Sequence, residues 1–146
     1  MTWDQMRGTF DRARYINLET FRRNGQGVRT PVWFVVSVAP GGGAVFYVPT
    51  GGHSGKVKRL RRDAAVRVAP CDMRGRTTGP WVAARGRVAD EDEFATGTGL
   101  LNRKYRPWKQ LLDWFMRLRS TDVRTVLAIE DMALAADGPR ADPQLP

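Results

Sequence analysis

The residues best suited to chemistry form one run, Thr50-Gly51-Gly52-His53-Ser54-Gly55-Lys56-Val57-Lys58-Arg59-Leu60-Arg61-Arg62. Ser54 carries the side-chain oxygen of a helix N-cap, and Val57 and Leu60 give the helix that follows a small apolar stripe. Lys56, Lys58 and Arg59 then fall in or beside its first turn. A helix start already bears about half a positive charge, so cations there are unfavourable. No acid offsets them before Asp63. A bound phosphate would resolve the conflict: glycine N–H groups and the free donors of the helix start face outward, and Lys and Arg close around the anion. A solvated basic helix behind a glycine turn accounts for the same residues, and both readings stand at this point. The run is not a P-loop, because Gly-x4-Gly-Lys-Ser/Thr is absent.

The charge around this run is concentrated. The chain has 146 residues with 24 Lys+Arg against 15 Asp+Glu, a net charge of +9. Between His53 and Val88 ten basic residues face only Asp63 and Asp72, so this window carries +8 of the +9. Such clustering favours a local anion site over general solubility. Nucleic acid, a phosphorylated cofactor and an acidic protein are the partner classes that charge allows. Nucleic acid ranks last, since the aromatic residues sit among apolar neighbours and are not interleaved with Arg on one platform.

Composition removes other classes. Hydrophobic residues make up 42% and aromatics 10%, enough for one buried core. One Cys and one His exclude a disulfide framework and a Cys/His zinc centre, so no metal site is expected. No apolar run is long enough to span a membrane, and Met1-Thr2-Trp3-Asp4 lacks a secretory layout, which sets the expectation of a cytoplasmic protein. No Ser/His/Asp pattern or paired-carboxylate motif occurs. His53 reads as an exposed turn residue and Cys71 as a packing residue at a strand end.

The elements that must position the run are short. Residues 2–13 read as an amphipathic helix through Trp3, Met6 and Phe10. Tyr15–Thr20 reads as a strand, Arg23–Gly27 as a hairpin turn, and Val28–Val38 as a second strand. Pro31 marks that second strand as an edge or a bulge, because proline cannot donate to a ladder. Pro40–Gly43 turns the chain into a third strand at Ala44–Val48, and the basic helix runs from Ser54 to about Arg62. Strands at Ala65–Pro70 and Pro80–Ala89 flank a polar loop, Asp72–Gly79. After the acidic run Asp90–Glu93, a helical stripe is expected through Trp108, Leu111, Leu112, Trp114, Phe115 and Leu118, then a last strand at Val123–Ala133. The reading is one domain over residues 1–136 with a flexible tail at 137–146. The fold class is mainly β (α+β), a small six-stranded antiparallel barrel with short flanking helices.

At this point a family resemblance emerges. Thr20-Phe21-Arg22-Arg23-Asn24-Gly25, Thr30-Pro31-Val32-Trp33-Phe34, Ser54-Gly55-Lys56-Val57-Lys58-Arg59-Leu60-Arg61-Arg62, Ala69-Pro70-Cys71-Asp72-Met73-Arg74-Gly75-Arg76 and Lys104-Tyr105 follow one another in that order. Over about residues 12–134 the chain resembles the pyridoxamine-phosphate-oxidase-like superfamily, and within it the actinobacterial branch of deazaflavin-dependent oxidoreductases that use coenzyme F420. The resemblance implies a split β-barrel that forms a homodimer, with cofactor sites in the clefts between protomers. It implies a phosphate held by Ser54, Gly55 and Lys56 with help from Lys58 or Arg59. It places the ring along Thr30, Pro31, Val32 and Trp33 and against Val48, Pro49 and Thr50.

The implied activity is hydride transfer between reduced F420 and an organic substrate, with no catalytic side chain required. The alternatives are an FMN-binding oxidase or reductase, or a non-catalytic flavin, deazaflavin or heme-binding protein. Arg61, Arg62, Arg74 and Arg76 are candidates to meet the glutamate tail of F420, although for any single one a solvated surface charge is the simpler account. Trp81, Tyr105, Trp108 and Trp114 are candidates for a substrate wall, with core or dimer packing the simpler account of the two helical Trp.

Overall fold

A computed structural model describes residues 3–38, 43–51, 55–104 and 124–134. His53, Ser54, Tyr105, Trp108, Trp114, the stripe to Leu118 and the tail at 137–146 lie outside the described residues. The elements run α1 (Trp3–Arg12), β1 (Tyr15–Phe21), β2 (Gly27–Val32), β3 (Val35–Val38), β4 (Ala44–Gly51), α2 (Gly55–Arg62), β5 (Ala65–Cys71), β6 (Val82–Val88), α3 (Glu91–Lys104) and β7 (Arg124–Leu134). The seven strands form one antiparallel sheet in the order β2-β1-β5-β6-β7-β4-β3.

The strand count corrects the expectation of six. The run Val28–Val38 is not one strand: β2 and β3 occupy the two opposite edges of the hydrogen-bonded order, joined by Trp33 and Phe34. The Cα atoms of Val32 and Val35 can lie at most about 11 Å apart across three extended steps. The two edges therefore come together, and the sheet must curl into a barrel whose seam is this crossing. Proline suits the position. Pro31 stands on edge strand β2 opposite Asn17, with no second neighbour waiting for a donated N–H.

Alternation fills the inside. Ile16, Leu18, Val48, Val66, Val68, Val82, Leu127 and Ile129 form one buried cluster with Phe10, Phe34 and Phe46. The three phenylalanines meet edge-on or tilted at centroid distances of 5.1 to 6.4 Å, so α1 closes the barrel through Phe10. Val57 and Leu60 of α2 join the same cluster, which seats the basic helix on the barrel by its apolar face. Turned outward, Val35, Tyr47, Val126 and Ala128 pack with Leu101 of α3 in a second, smaller cluster.

Helix α3 is a second departure. The helical region is expected after the acidic run, yet Glu91, Asp92 and Glu93 themselves form the first turn of a helix that starts earlier than expected. Asp90 Oδ1 accepts from the Glu93 N–H at 2.9 Å, and Glu93 Oε1 accepts from the Asp90 N–H at 3.0 Å. This reciprocal cap satisfies two donors, and the carboxylates complement the helix start.

Candidate functional site

One cleft of about 610 Å³ is bordered by β1, β2, β4 and the start of α2. Tyr15, Thr30, Pro31, Val32 and Trp33 form one side, Pro49, Thr50 and Gly51 the other, and Gly55 and Lys56 close the end. The volume falls in the usual range of small-molecule sites, about 300–1,000 Å³. Of the residues the resemblance assigned to the site, Thr30, Pro31, Val32, Trp33, Pro49, Thr50, Gly55 and Lys56 line this cleft together. Val48 does not, because its side chain is fully buried in the barrel. Lys58 is exposed, and neither it nor Arg59 lines the cleft. Tyr15 and Gly51 line it without having been assigned; nothing local in the sequence marks Tyr15, whose place is set by its position at the start of β1.

The polar end is built by α2. Its first turn contains no acid, and its apolar residues Val57 and Leu60 are buried, which aims Gly55 and Lys56 at the cleft. The backbone N–H groups of a first helical turn have no partners within the helix. A concave end that combines such donors with a lysine suits a phosphate or carboxylate. The long walls are different in character: Pro31, Val32, Trp33 and Pro49 offer a largely apolar slot. The cleft can therefore hold a flat apolar body joined to an anionic group.

Arg59 packs behind this end. A Cβ on Gly55 would lie 2.8 Å from Arg59 Nη1, so only glycine lets the guanidinium cover the helix start this closely. Arg59 Nε donates to Thr20 Oγ1 at 2.6 Å, and Arg62 Nη2 donates to the Phe21 carbonyl at 2.6 Å. Burial lowers the Arg59 pKa from its ordinary value, and the neighbouring charges of Arg22 and Arg62 lower it further.

The four arginines considered for an acidic tail do not gather. Arg74 and Arg76 belong to the loop after β5, where Asp72 Oδ1 accepts both their backbone N–H groups at 2.9 Å. Those bonds hold the Asp72 carboxyl below the usual carboxylate range, backed by the Arg side chains. Arg76 also pairs with Asp72 at 3.7 Å. Asn17 Nδ2 donates to the Gly75 carbonyl at 2.8 Å, which draws the loop toward Pro31 at the other border of the cleft. Cys71 is buried at the root of the loop, and its thiol is pushed up to about 11, mainly by burial and then by Asp72. Trp81 stacks beneath Arg29 and Arg67, 4.7 and 5.3 Å from its ring, and does not line the cleft.

Solved structures share this architecture. A pyridoxamine 5'-phosphate oxidase candidate from Listeria innocua superposes with a TM-score of 0.57 at 17% identity, covering 90% of this chain and 95% of that one. The fold is that of the pyridoxamine-phosphate-oxidase-like split barrel. The heme storage protein HutZ from Vibrio cholerae shares it with a TM-score of 0.60 at 8% identity, over 91% and 94% of the two chains. An F420 reductase shares it with a TM-score of 0.52 at 17% identity, over 84% and 90%. No protein-family model matches the sequence, and no curated protein matches it. The split barrel thus serves proteins of different function, and the choice among them has to come from the site.

Proposed function

We propose that the chain is an F420-dependent oxidoreductase that works as a homodimer, with the deazaflavin ring in the slot of Pro31, Val32, Trp33 and Pro49 and its phosphate at Gly55 and Lys56. The observation that carries this reading is the joining, in one cleft, of an apolar slot to an acid-free helix start that presents a lysine. The residues present fit a phosphorylated ring on those grounds. When bound, reduced deazaflavin supplies a hydride equivalent to an organic substrate. The protein's contribution is binding, orientation and exclusion of water.

Lys56 and the backbone N–H groups at the start of α2 hold the phosphate by charge-assisted hydrogen bonds, which are the strong ones. Edge strand β2 leaves backbone groups on its outer side without a sheet partner, available to polar atoms on the ring's edge. Trp33 packs against the outward apolar cluster under α3 while it lines the cleft, so the wall is supported from behind. Ser54, which the resemblance assigns to the phosphate, completes the proposed surroundings; Lys58 and Arg59 stay outside the cleft lining, and Val48 supports the ring wall from within the core.

Titration of the purified protein with F420 tests the proposal. The wild-type protein binds it, and Lys56→Glu weakens binding about 10- to 100-fold, the range for a lost charged hydrogen bond. Unchanged affinity in Lys56→Glu overturns the site assignment. A yellow preparation that releases FMN on denaturation replaces F420 with FMN in the same cleft.

A further inference from the structure

Helix α3 ends on an amine held against the barrel core. Lys104 Nζ lies 3.6 Å from the centroid of the Phe34 ring, and that ring is fully buried. Lys104 also lines a cavity of about 270 Å³, together with Val35 and Val36 of β3, Leu100 and Arg103 of α3 and Asp11 of α1. None of the six lines the cleft of Trp33 and Lys56. The walls are apolar: Val36 packs on the main core, and Val35 and Leu100 belong with the outward cluster. The other charged groups that line the cavity are Arg103 and Asp11, the latter paired with Arg7 at 3.7 Å; β3 brings none.

This setting changes what the amine can do. Burial lowers the Lys104 pKa to about 8 against the pull of Asp11. At pH 7 roughly a tenth of such an amine is unprotonated, against about 0.04% for an ordinary lysine near 10.4. A lysine that only fastened α3 to the barrel could be leucine or methionine, which pack on Phe34 without taking a charge out of water. Desolvated amines in apolar pockets are the ones that attack carbonyl carbons.

We propose that Lys104 is a covalent capture site for a small aldehyde or ketone that also carries a carboxylate. Nζ bonds to the carbonyl carbon; the amine gives up its two protons, and the carbonyl oxygen leaves with them as water. The product is an imine, and nothing is oxidised or reduced. Val35, Val36 and Leu100 pack the carbon body, and Arg103 meets the carboxylate. Asp11, whose charge already reaches Nζ, favours the protonated imine. The site works in the same way whatever the cleft of Trp33 and Lys56 holds.

The probe is 4-carboxybenzaldehyde with cyanoborohydride, which reduces the imine and fixes it for peptide mass mapping. The chain has four lysines, so Lys56, Lys58 and Lys109 are internal references. At pH 7 Lys104 is labelled about 10- to 100-fold faster than the exposed Lys58, less than the amine fractions alone give because a weaker base is a weaker nucleophile. The Lys104 rate levels off as aldehyde concentration rises, while the Lys58 rate stays proportional to it. The ratio of the two falls from pH 7 to 10, where ordinary lysines also lose their protons. In urea the selectivity disappears. Lys104 takes 4-carboxybenzaldehyde about 2- to 5-fold faster than benzaldehyde, as one exposed ion pair allows, and Arg103→Gln, at an exposed position, removes that preference. Equal labelling of Lys104 and Lys58 in the folded protein overturns the capture site, and so does selectivity that persists in urea. A Lys104 rate that never levels off overturns it as well. A carboxylate preference that survives in Arg103→Gln overturns the ligand class.

Discussion

Two groups of arginines stand around strand β1, and they are balanced in opposite ways. On its outward face Glu19 is buried and accepts from Arg67 Nε at 2.5 Å through Oε1 and from Arg29 Nε at 3.0 Å through Oε2. Both guanidiniums lie over the Trp81 ring. At the strand's end Arg22, Arg59 and Arg62 pair with no acid among the described residues. The first group has a carboxylate and an aromatic face to satisfy its charge, so it serves the fold. The second has neither among the described residues. The chain's surplus of positive charge is thus uneven at the scale of single clusters among the described residues.

The largest expected effect breaks the balanced group. Glu19→Gln leaves the buried Arg67 without its counter-charge, and loss of one partner of a buried pair costs about 3–5 kcal/mol. Urea unfolding measures it. Replacing both partners, Glu19→Met with Arg67→Met, recovers most of the loss, because two apolar side chains need no compensation. Arg29→Met costs far less, since that side chain is half exposed and its pair is screened.

The unbalanced group responds with the opposite sign. Arg22→Gln/Arg62→Gln leaves stability in the absence of ligand within about 1 kcal/mol, because relief of like-charge repulsion offsets the lost bond to the Phe21 carbonyl. At low salt the variant gains relative to the wild-type protein. A loss on the scale of Glu19→Gln would make the two clusters alike.

At the end of β5 opposite Tyr15, away from both clusters, a thiol probes the root of the loop after β5. Cys71 is buried, with its thiol at about 11, so little thiolate exists at neutral pH. A thiol reagent modifies it only after unfolding in the wild-type protein. Modification is faster in Glu19→Gln and unchanged in Arg22→Gln/Arg62→Gln.

What the sequence made legible follows from range. The basic helix, its apolar pair Val57 and Leu60, and the glycine run before it are local patterns, and α2 forms where they predict. The curled antiparallel sheet follows from short strands between turns, with Gly25 at φ 88° in the first hairpin. The splitting of Val28–Val38 was hidden, because β-branched and aromatic residues continue without a break across Trp33 and Phe34, and the edge each half joins depends on strands far away in the chain. Helix α3 was legible in principle through Asp90 and Glu93, whose spacing is that of a capping box. The two arginine clusters were not. Arg59 meets Thr20 across 39 residues and Arg67 meets Glu19 across 48, so no window along the chain shows which guanidinium finds an acid.

A third cation sharpens the comparison at the smallest scale, because it is balanced by a ring more than by an acid. Lys104 Nζ lies 3.6 Å from the centroid of the buried Phe34 ring, in a small cavity shared with Asp11, Arg103, Val35, Val36 and Leu100. Burial lowers its pKa to about 8 despite the opposing charge of Asp11. An amine depressed in the folded state binds fewer protons there than when unfolded, so stability rises with pH from about 8 toward the unfolded value and the penalty is full below 8. Lys104→Met removes that rise. The variant gains on the wild-type protein at pH 7, less than the transfer alone would give because the ring face already stabilises the ammonium, and the gain vanishes toward pH 10. Tyr47, whose phenol is raised mainly by burial, lowers stability only in more alkaline solution and cancels in the difference between the two proteins. Thermal melts of both from pH 7 to 10 measure it, and parallel curves would show that the ring and Asp11 together satisfy the lysine as fully as Glu19 satisfies Arg67.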